Sequence, residues 1–125
     1  MIQLNYRDSK PIYEQIKDGL RKLIVTNAIA ANEKLPSVRE FASNLAINPN
    51  TIQRAYRDLE SEGYIYTVAG KGCFVAERQE VYNSRQSELL ETFDEVVEEL
   101  LFLSVEKGEL VERMEHLTEG GEQVD

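Results

Sequence analysis

Four polar side chains, Asn50, Thr51, Gln53 and Arg54, stand together near the start of the run NPNTIQRAYRDLESEG, residues 48–63. Their chemistry is hydrogen-bond recognition. Asparagine and glutamine can pair bidentately with adenine, arginine with guanine or a phosphate, and a threonine hydroxyl or methyl can meet a phosphate or a thymine methyl. Arg57 continues the outward side, but Asp58 follows at once. Two readings stay open for it: a nucleic-acid contact, or a partner of Asp58 or Ser61 on a solvated face. Arg54 has the same alternative.

Residues suited to covalent or metal chemistry are sparse. Cys73 is the single cysteine and His116 the single histidine, so neither an intrachain disulfide nor a multi-ligand His/Cys metal site can be assembled. Cys73 falls in an expected strand and reads as a small core residue, and His116 lies near a polar C-terminal tail with no serine or cysteine partner nearby. Pairs such as Glu98 with Glu99, or Glu91 with Glu95, sit on the polar side of an amphipathic helix, where solvation accounts for them. No enzyme activity, no metal and no cofactor is expected.

With 42% apolar and 30% charged residues, 125 residues can bury one modest core, or a small core plus an appendage. No apolar run approaches the roughly 20 residues that span a bilayer. The first residues, MIQLNYRDSK, lack a secretory signal pattern, and a cytoplasmic location is expected. The net charge of −9 is unevenly placed. Residues 1–78 carry 11 Lys/Arg against 9 Asp/Glu, net +2, whereas residues 79–125 carry 3 against 14, net −11. Such asymmetry suggests two parts with different partners, although an acidic amphipathic helix alone would also produce it.

The elements that must hold the polar group follow from periodicity. Ile12, Ile16, Leu20, Leu23 and Ile24 form a helical stripe from about Lys10 to about Asn27, with Pro11 at the first helical position. After the loop AIAANEKL, Ser37 and Glu40 have capping-box spacing ahead of Val38, Phe41, Ala42 and Leu45, which predicts a short helix over 38–45. A three-residue turn, AIN, leads to a third helix capped by Asn48, begun by Pro49 and stopped by Gly63. Its Ile52, Ala55, Tyr56 and Leu59 face inward, and Asn50, Gln53, Arg54, Arg57 and Ser61 face outward or to the flank. The runs YIYTV and CFVA, joined through Gly70, Lys71 and Gly72, read as a β-hairpin.

Two helices joined by a short turn, the second capped and polar outward, form a helix-turn-helix, and the hairpin behind them makes it winged. The fold class is therefore mainly α with a small hairpin: a winged helix-turn-helix over 1–77, then a two-helix module over 78–125. In that module Leu89, Phe93, Val96, Leu100 and Leu103 recur at four, three, four and three, widened by Leu90, Val97 and Leu101. Gly108 is expected to interrupt the helix, Leu110, Val111, Met114 and Leu117 to line a shorter second one, and the tail from Thr118 to fray. So wide a stripe fits pairing with a second copy better than folding back on too few apolar residues.

The run PIYEQI … KLPSVREFASNLAINPNTIQRAYRDLESEGYIYTVAGKGCFV, over about residues 10–76, closely resembles the N-terminal domain of GntR-type bacterial transcription regulators. The short C-terminal part and the NPNT opening resemble the small YtrA-like subfamily. The resemblance implies that Arg39 contacts DNA from the start of the second helix and that Asn48, Asn50, Thr51 and Gln53 face the operator. It also implies that the wing tip, Gly70 with Lys71, enters the minor groove, and that the C-terminal helices hold a homodimer. Two departures matter. Asn48-Pro49 stands where many GntR proteins have serine-arginine, which leaves Arg54 more of the binding. Asn27 and Asn32 stand where glycines flank the loop after the first helix; asparagine is the next residue most willing to adopt the left-handed conformation.

These observations predict a homodimeric repressor that binds a pseudo-palindromic operator in double-stranded DNA. The resemblance implies control of a transporter operon, often the regulator's own. The alternative is a winged helix used for protein contact, with the acidic helices as the docking surface. RNA binding is weaker, because the hairpin offers no evident exposed aromatic platform. A small-molecule effector stays open: no residue specifies one, and a groove between the C-terminal helices and the DNA-binding domain is where it could sit.

Overall fold

The structure, a computed structural model, describes residues 2–124, with side chains as far as Glu119. The elements are α1 (Ile12–Val25), α2 (Val38–Leu45), α3 (Pro49–Ser61), β1 (Ile65–Val68), β2 (Gly72–Val75), α4 (Arg78–Phe102) and α5 (Lys107–Val124). This is the expected mainly helical class with one hairpin. Packing divides the chain into residues 1–86 and 87–125, within α4 rather than at its start. The reason is Val81, which is buried in the core of the first unit.

Ile16, Leu20 and Ile24 place the apolar face of α1 fully inside, with Ile12 and Leu23 partly covered. The helix is shorter than its periodicity suggests. Pro11, at ψ 151°, is the N-cap residue and not the first helical one, and beyond the other end Asn27 turns the chain at φ 67°. Asn32 has φ 64°, so both asparagines at the glycine-like positions take the left-handed conformation.

Helices α2 and α3 are positioned by local hydrogen bonds. The Ser37 Oγ accepts from the Glu40 backbone N–H at 3.1 Å, which is one half of the capping box; the reciprocal bond from Glu40 is not formed. Ala46 takes φ 56°, and the Ile47 and Ala46 N–H groups close onto the Ala42 and Ser43 carbonyls, ending α2 in a left-handed cap. The turn to α3 is then Ala46 to Asn48, as the sequence predicts.

The other end of α3 uses the same device. Gly63 has φ 90°, the Tyr64 N–H reaches the Leu59 carbonyl at 2.9 Å, and a Cβ on Gly63 would lie 2.5 Å from the Ser84 Oγ. Gly63→Ala therefore meets both a disfavoured backbone and a neighbour on α4. Thermal or urea unfolding is expected to show a loss of about 1–3 kcal/mol, and a wild-type midpoint would contradict it.

β1 and β2 pair antiparallel, Ile65 opposite Val75 and Val68 opposite Gly72. Residues 32–35, expected as plain loop, instead lie along β2 as a third edge. The Leu35 N–H donates to the Cys73 carbonyl at 2.9 Å, the Val75 N–H to Glu33, and the Asn32 N–H to Val75. Lys34 bridges to Phe74. Tyr64, Ile65, Val75 and Ala76 join Phe41, Ile52, Tyr56 and Leu59 in the core.

Beyond residue 86, α4 continues to Phe102. The break falls at Leu103–Glu106 and not at Gly108, which lies in the first turn of α5. Ser104 takes φ 70° there, and the Val105 and Ser104 N–H groups close onto the Leu100 and Leu101 carbonyls. α5 extends through the residues from Thr118 expected to fray; side chains from 120 onward lie outside the described residues. Among the described residues no helix is long and apolar enough to cross a membrane.

Candidate nucleic-acid interface

α3 docks through Ile52, Ala55, Tyr56 and Leu59, each at most 3% exposed. The Tyr56 hydroxyl donates to the Pro36 carbonyl at 2.7 Å and its ring packs on Phe41, tying the middle of α3 to the entry of α2. Burial, with the Glu40 charge adding to it, holds this phenol well above its ordinary pKa, so it stays a donor.

With that face inside, Asn50, Gln53, Arg54 and Arg57 are exposed and Thr51 is half-buried. Asn48 behaves differently. Its Oδ1 accepts from the Asn50 N–H at 2.8 Å, which caps α3 and uses one of that oxygen's two lone pairs, leaving the other and the amide N–H groups available.

Neither arginine is paired with Asp58. Arg54 lies over the ring of Tyr13 on α1, its guanidinium carbon 3.7 Å from the ring centroid. Asp58 and Glu62 face Lys17, which ion-pairs with both. One flank of α3 is thus joined to α1, while Arg57, together with Arg39 and Lys71, has no ion-pair partner among the described residues.

The wing is held relative to α3 by Glu60, whose Oε2 accepts from the Thr67 N–H at 3.1 Å. Its tip is open: among the described residues nothing lies within 4 Å of where a Cβ on Gly70, at φ 76°, would stand, and Lys71 beside it is exposed. Gly72, at φ 119°, makes room for Lys34, whose Cε would stand 3.1 Å from a Cβ there. Arg39 is exposed in the first turn of α2. All nine candidate residues lie in the first unit, on α2, α3 with its cap, and the wing.

Tyr13 and Lys34 also adjoin this face, and neither is among the sequence candidates. Tyr13 meets Arg54 only through the docking of α1 on α3, and Lys34 reaches the wing only through the third edge. Neither contact has a local pattern. Of the other candidates for chemistry, Cys73 is half-buried beside the Thr67 hydroxyl at 3.4 Å, and His116 with Glu91, Glu95, Glu98 and Glu99 is exposed. Among the described residues no group of three or more His, Cys, Asp or Glu could hold a metal.

In the second unit, the stripe stands open. Leu89, Phe93, Val96 and Leu103 are 49%, 45%, 51% and 63% exposed, and Leu100 is half-buried.

Residues 12–75 match the bacterial regulatory proteins of the gntR family. The chain is 38% identical to the HTH-type transcriptional regulator YhcF of Bacillus subtilis over 93% of its own length and 97% of the relative's. To the HTH-type transcriptional repressor YtrA of the same organism it is 46% identical, over 62% of this chain and 59% of YtrA. Among solved structures, a GntR family transcriptional regulator from Listeria monocytogenes superposes with a TM-score of 0.69 at 36% identity, covering 89% of this chain and 98% of that one. AraR(DBD) in complex with operator ORR3 superposes with a TM-score of 0.52 at 32% identity, over 59% of this chain and 89% of that one. A winged helix with an outward polar α3, matched over its length to such regulators, is a DNA-binding transcription regulator and not an enzyme, and the chain belongs to the GntR family of bacterial regulatory proteins.

Proposed function

We propose that the chain acts as a homodimeric repressor that occludes a promoter by binding a pseudo-palindromic operator, with the first unit reading DNA and the helices beyond it holding two copies together. The observation that carries this reading is the pairing of two unsatisfied surfaces in one chain. One is the polar, unpaired face of Asn50, Gln53 and Arg57, flanked by Arg39 and Lys71; the other is the apolar stripe from Leu89 to Leu103. A two-fold dimer presents two α3 helices to half-sites about one helical turn, roughly 34 Å, apart. The name of the relative YtrA, a transcriptional repressor, supports the direction of control. The family resemblance supports a transporter operon, the regulator's own gene among its targets, and a cytoplasmic site of action. No residue specifies an effector.

Affinity comes from Arg39, Arg57, Lys71 and their neighbours on phosphates, and specificity from Asn50, Thr51 and Gln53 on bases. Each dimer carries twice the chain's −9, so binding relies on local positive potential against a repulsive field. Raising salt from about 50 to about 200 mM is expected to weaken the complex by about 1000-fold or more, for roughly six phosphates neutralised. A mobility-shift and footprint assay on the DNA upstream of its own reading frame tests the whole reading: an inverted repeat should be protected. Arg39→Ala should abolish that shift and leave the dimer intact. An unchanged shift, or a salt-independent complex, would point to the protein-contact alternative.

A further inference from the structure

We infer that Tyr13 is a positioning residue for DNA binding: its ring holds Arg54 as a phosphate clamp on the α1 flank of the reading helix. This rests on the operator-binding reading above.

Arg54 is one turn from Asn50 but set off from Gln53 and Arg57. It is about 100° around the helix from Gln53, on the side where Asp58 and Glu62 follow at one-turn intervals. That side faces α1, where Tyr13 and Lys17 are also one turn apart. Lys17 takes both carboxylates, so among the described residues Arg54 has no anionic partner and its charge is left for something outside. The ring lies 3.7 Å beneath the guanidinium carbon, within range for a cation–π contact. Stacking occupies the planar face of the guanidinium and leaves its N–H edge free to donate.

The direction of that edge is limited by what surrounds it. Ile12, Tyr13, Asn50, Thr51 and Arg54 line an open cleft of about 360 Å³ between the start of α1 and the first turn of α3. The cleft adjoins the reading residues but lies to one side of them, which suits the DNA backbone beside the groove rather than a base edge within it. The Tyr13 hydroxyl donates to the Glu14 Oε1 at 3.2 Å, so the ring, and not the hydroxyl, serves Arg54. A free arginine side chain would have to be ordered on binding. Tyr13 orders it beforehand, and affinity gains by that preorganisation.

The test is an anisotropy titration of the full chain with two labelled duplexes of about 30 base pairs, one of random sequence and one from upstream of its own reading frame, at several salt concentrations. Tyr13→Leu is expected to weaken binding to both by about 3–10-fold and to reduce the salt slope by about one per protomer. Tyr13→Phe should match wild type. The double variant Tyr13→Leu/Arg54→Ala should bind no more weakly than Arg54→Ala alone, because the two act as one unit. Additive losses, a Tyr13→Phe as weak as Tyr13→Leu, or an unchanged salt slope would overturn the clamp.

If Tyr13→Leu does not fold, Arg54→Lys carries the test by altering only an exposed side chain. It keeps the charge but lacks the planar stack, and should bind about threefold or more weakly than wild type; equal binding would overturn the inference. Failure of wild type to bind either duplex would sink the operator reading and the clamp with it, whereas wild-type binding indifferent to these variants sinks the clamp alone.

Discussion

In the proposed homodimer, Phe93→Glu is expected to give a monomer and to weaken operator binding by at least about 100-fold, while the first unit stays folded. In one chain Phe93 is 45% exposed, between Leu89 at 49% and Val96 at 51%. Fully covering such side chains is worth about 1.5–3 kcal/mol each. A carboxylate at the centre of that face would be buried without a partner, among residues that already carry net −11 beyond position 78. The loss on DNA follows from tethering. In the dimer the second α3 reaches its half-site at an effective concentration in the range of millimolar, and losing that tether forfeits about 10²–10⁴ in avidity. Sedimentation gives the mass, and an anisotropy titration gives the affinity. A Phe93→Glu chain that is still dimeric, or a wild-type chain that sediments as a monomer at micromolar concentration, would contradict the proposal.

The second large effect concerns the core beneath the reading helix. Tyr56→Ala is expected to lose about 3–5 kcal/mol of stability, a large part of what a small domain has. Tyr56 is 3% exposed, its ring packs on Phe41 with centroids 6.2 Å apart, and its hydroxyl is the partner of the Pro36 carbonyl. Tyr56→Phe keeps the ring and should lose only about 1 kcal/mol. The phenol also creates a pH dependence. Its folded pKa is raised by burial, so above about pH 10 the unfolded chain releases a proton that the folded chain retains, and stability falls as pH rises. Urea unfolding at neutral pH and near pH 11 checks both points. Equal midpoints for Tyr56→Ala and wild type would refute the first, and a Tyr56→Phe profile as steep as wild type would refute the second.

Both predictions concern features that are legible in the sequence. The inward set of α3, Ile52, Ala55, Tyr56 and Leu59, follows from helical periodicity and is buried as expected. The helix limits at Ser37, Asn48 and Gly63 follow from capping, because a cap is an interaction between residues two to five apart and leaves a local pattern. The stripe from Leu89 to Leu103 was legible for the same reason.

What was not legible has two sources: contacts between residues far apart in sequence, and competition between neighbouring residues for where a helix ends. The edge at residues 32–35 looks like loop because its hydrogen bonds go to Cys73 and Val75 and its composition has no strand alternation. Gly108 looks like the helix break because glycine is a poor helix former, yet its position in the first turn of α5 tolerates it. The left-handed turn at Ser104 ends α4 instead, with the Ser104 N–H closing onto the Leu101 carbonyl and the Val105 N–H onto that of Leu100.

Sequence by itself therefore determined the order of elements and the buried and outward faces of α3, which rest on periodicity and caps; the family, and the glycine-like positions of Asn27 and Asn32, are read from the resemblance of its motifs to GntR regulators. Tertiary structure alone decided that Arg54 lies over the Tyr13 ring, that Lys17 holds Asp58 and Glu62, that Lys34 reaches the wing, and that Arg57 has no ion pair among the described residues. The physical reason is that a side chain's partner is set by which helices dock, and docking is a property of the whole core rather than of any window of sequence.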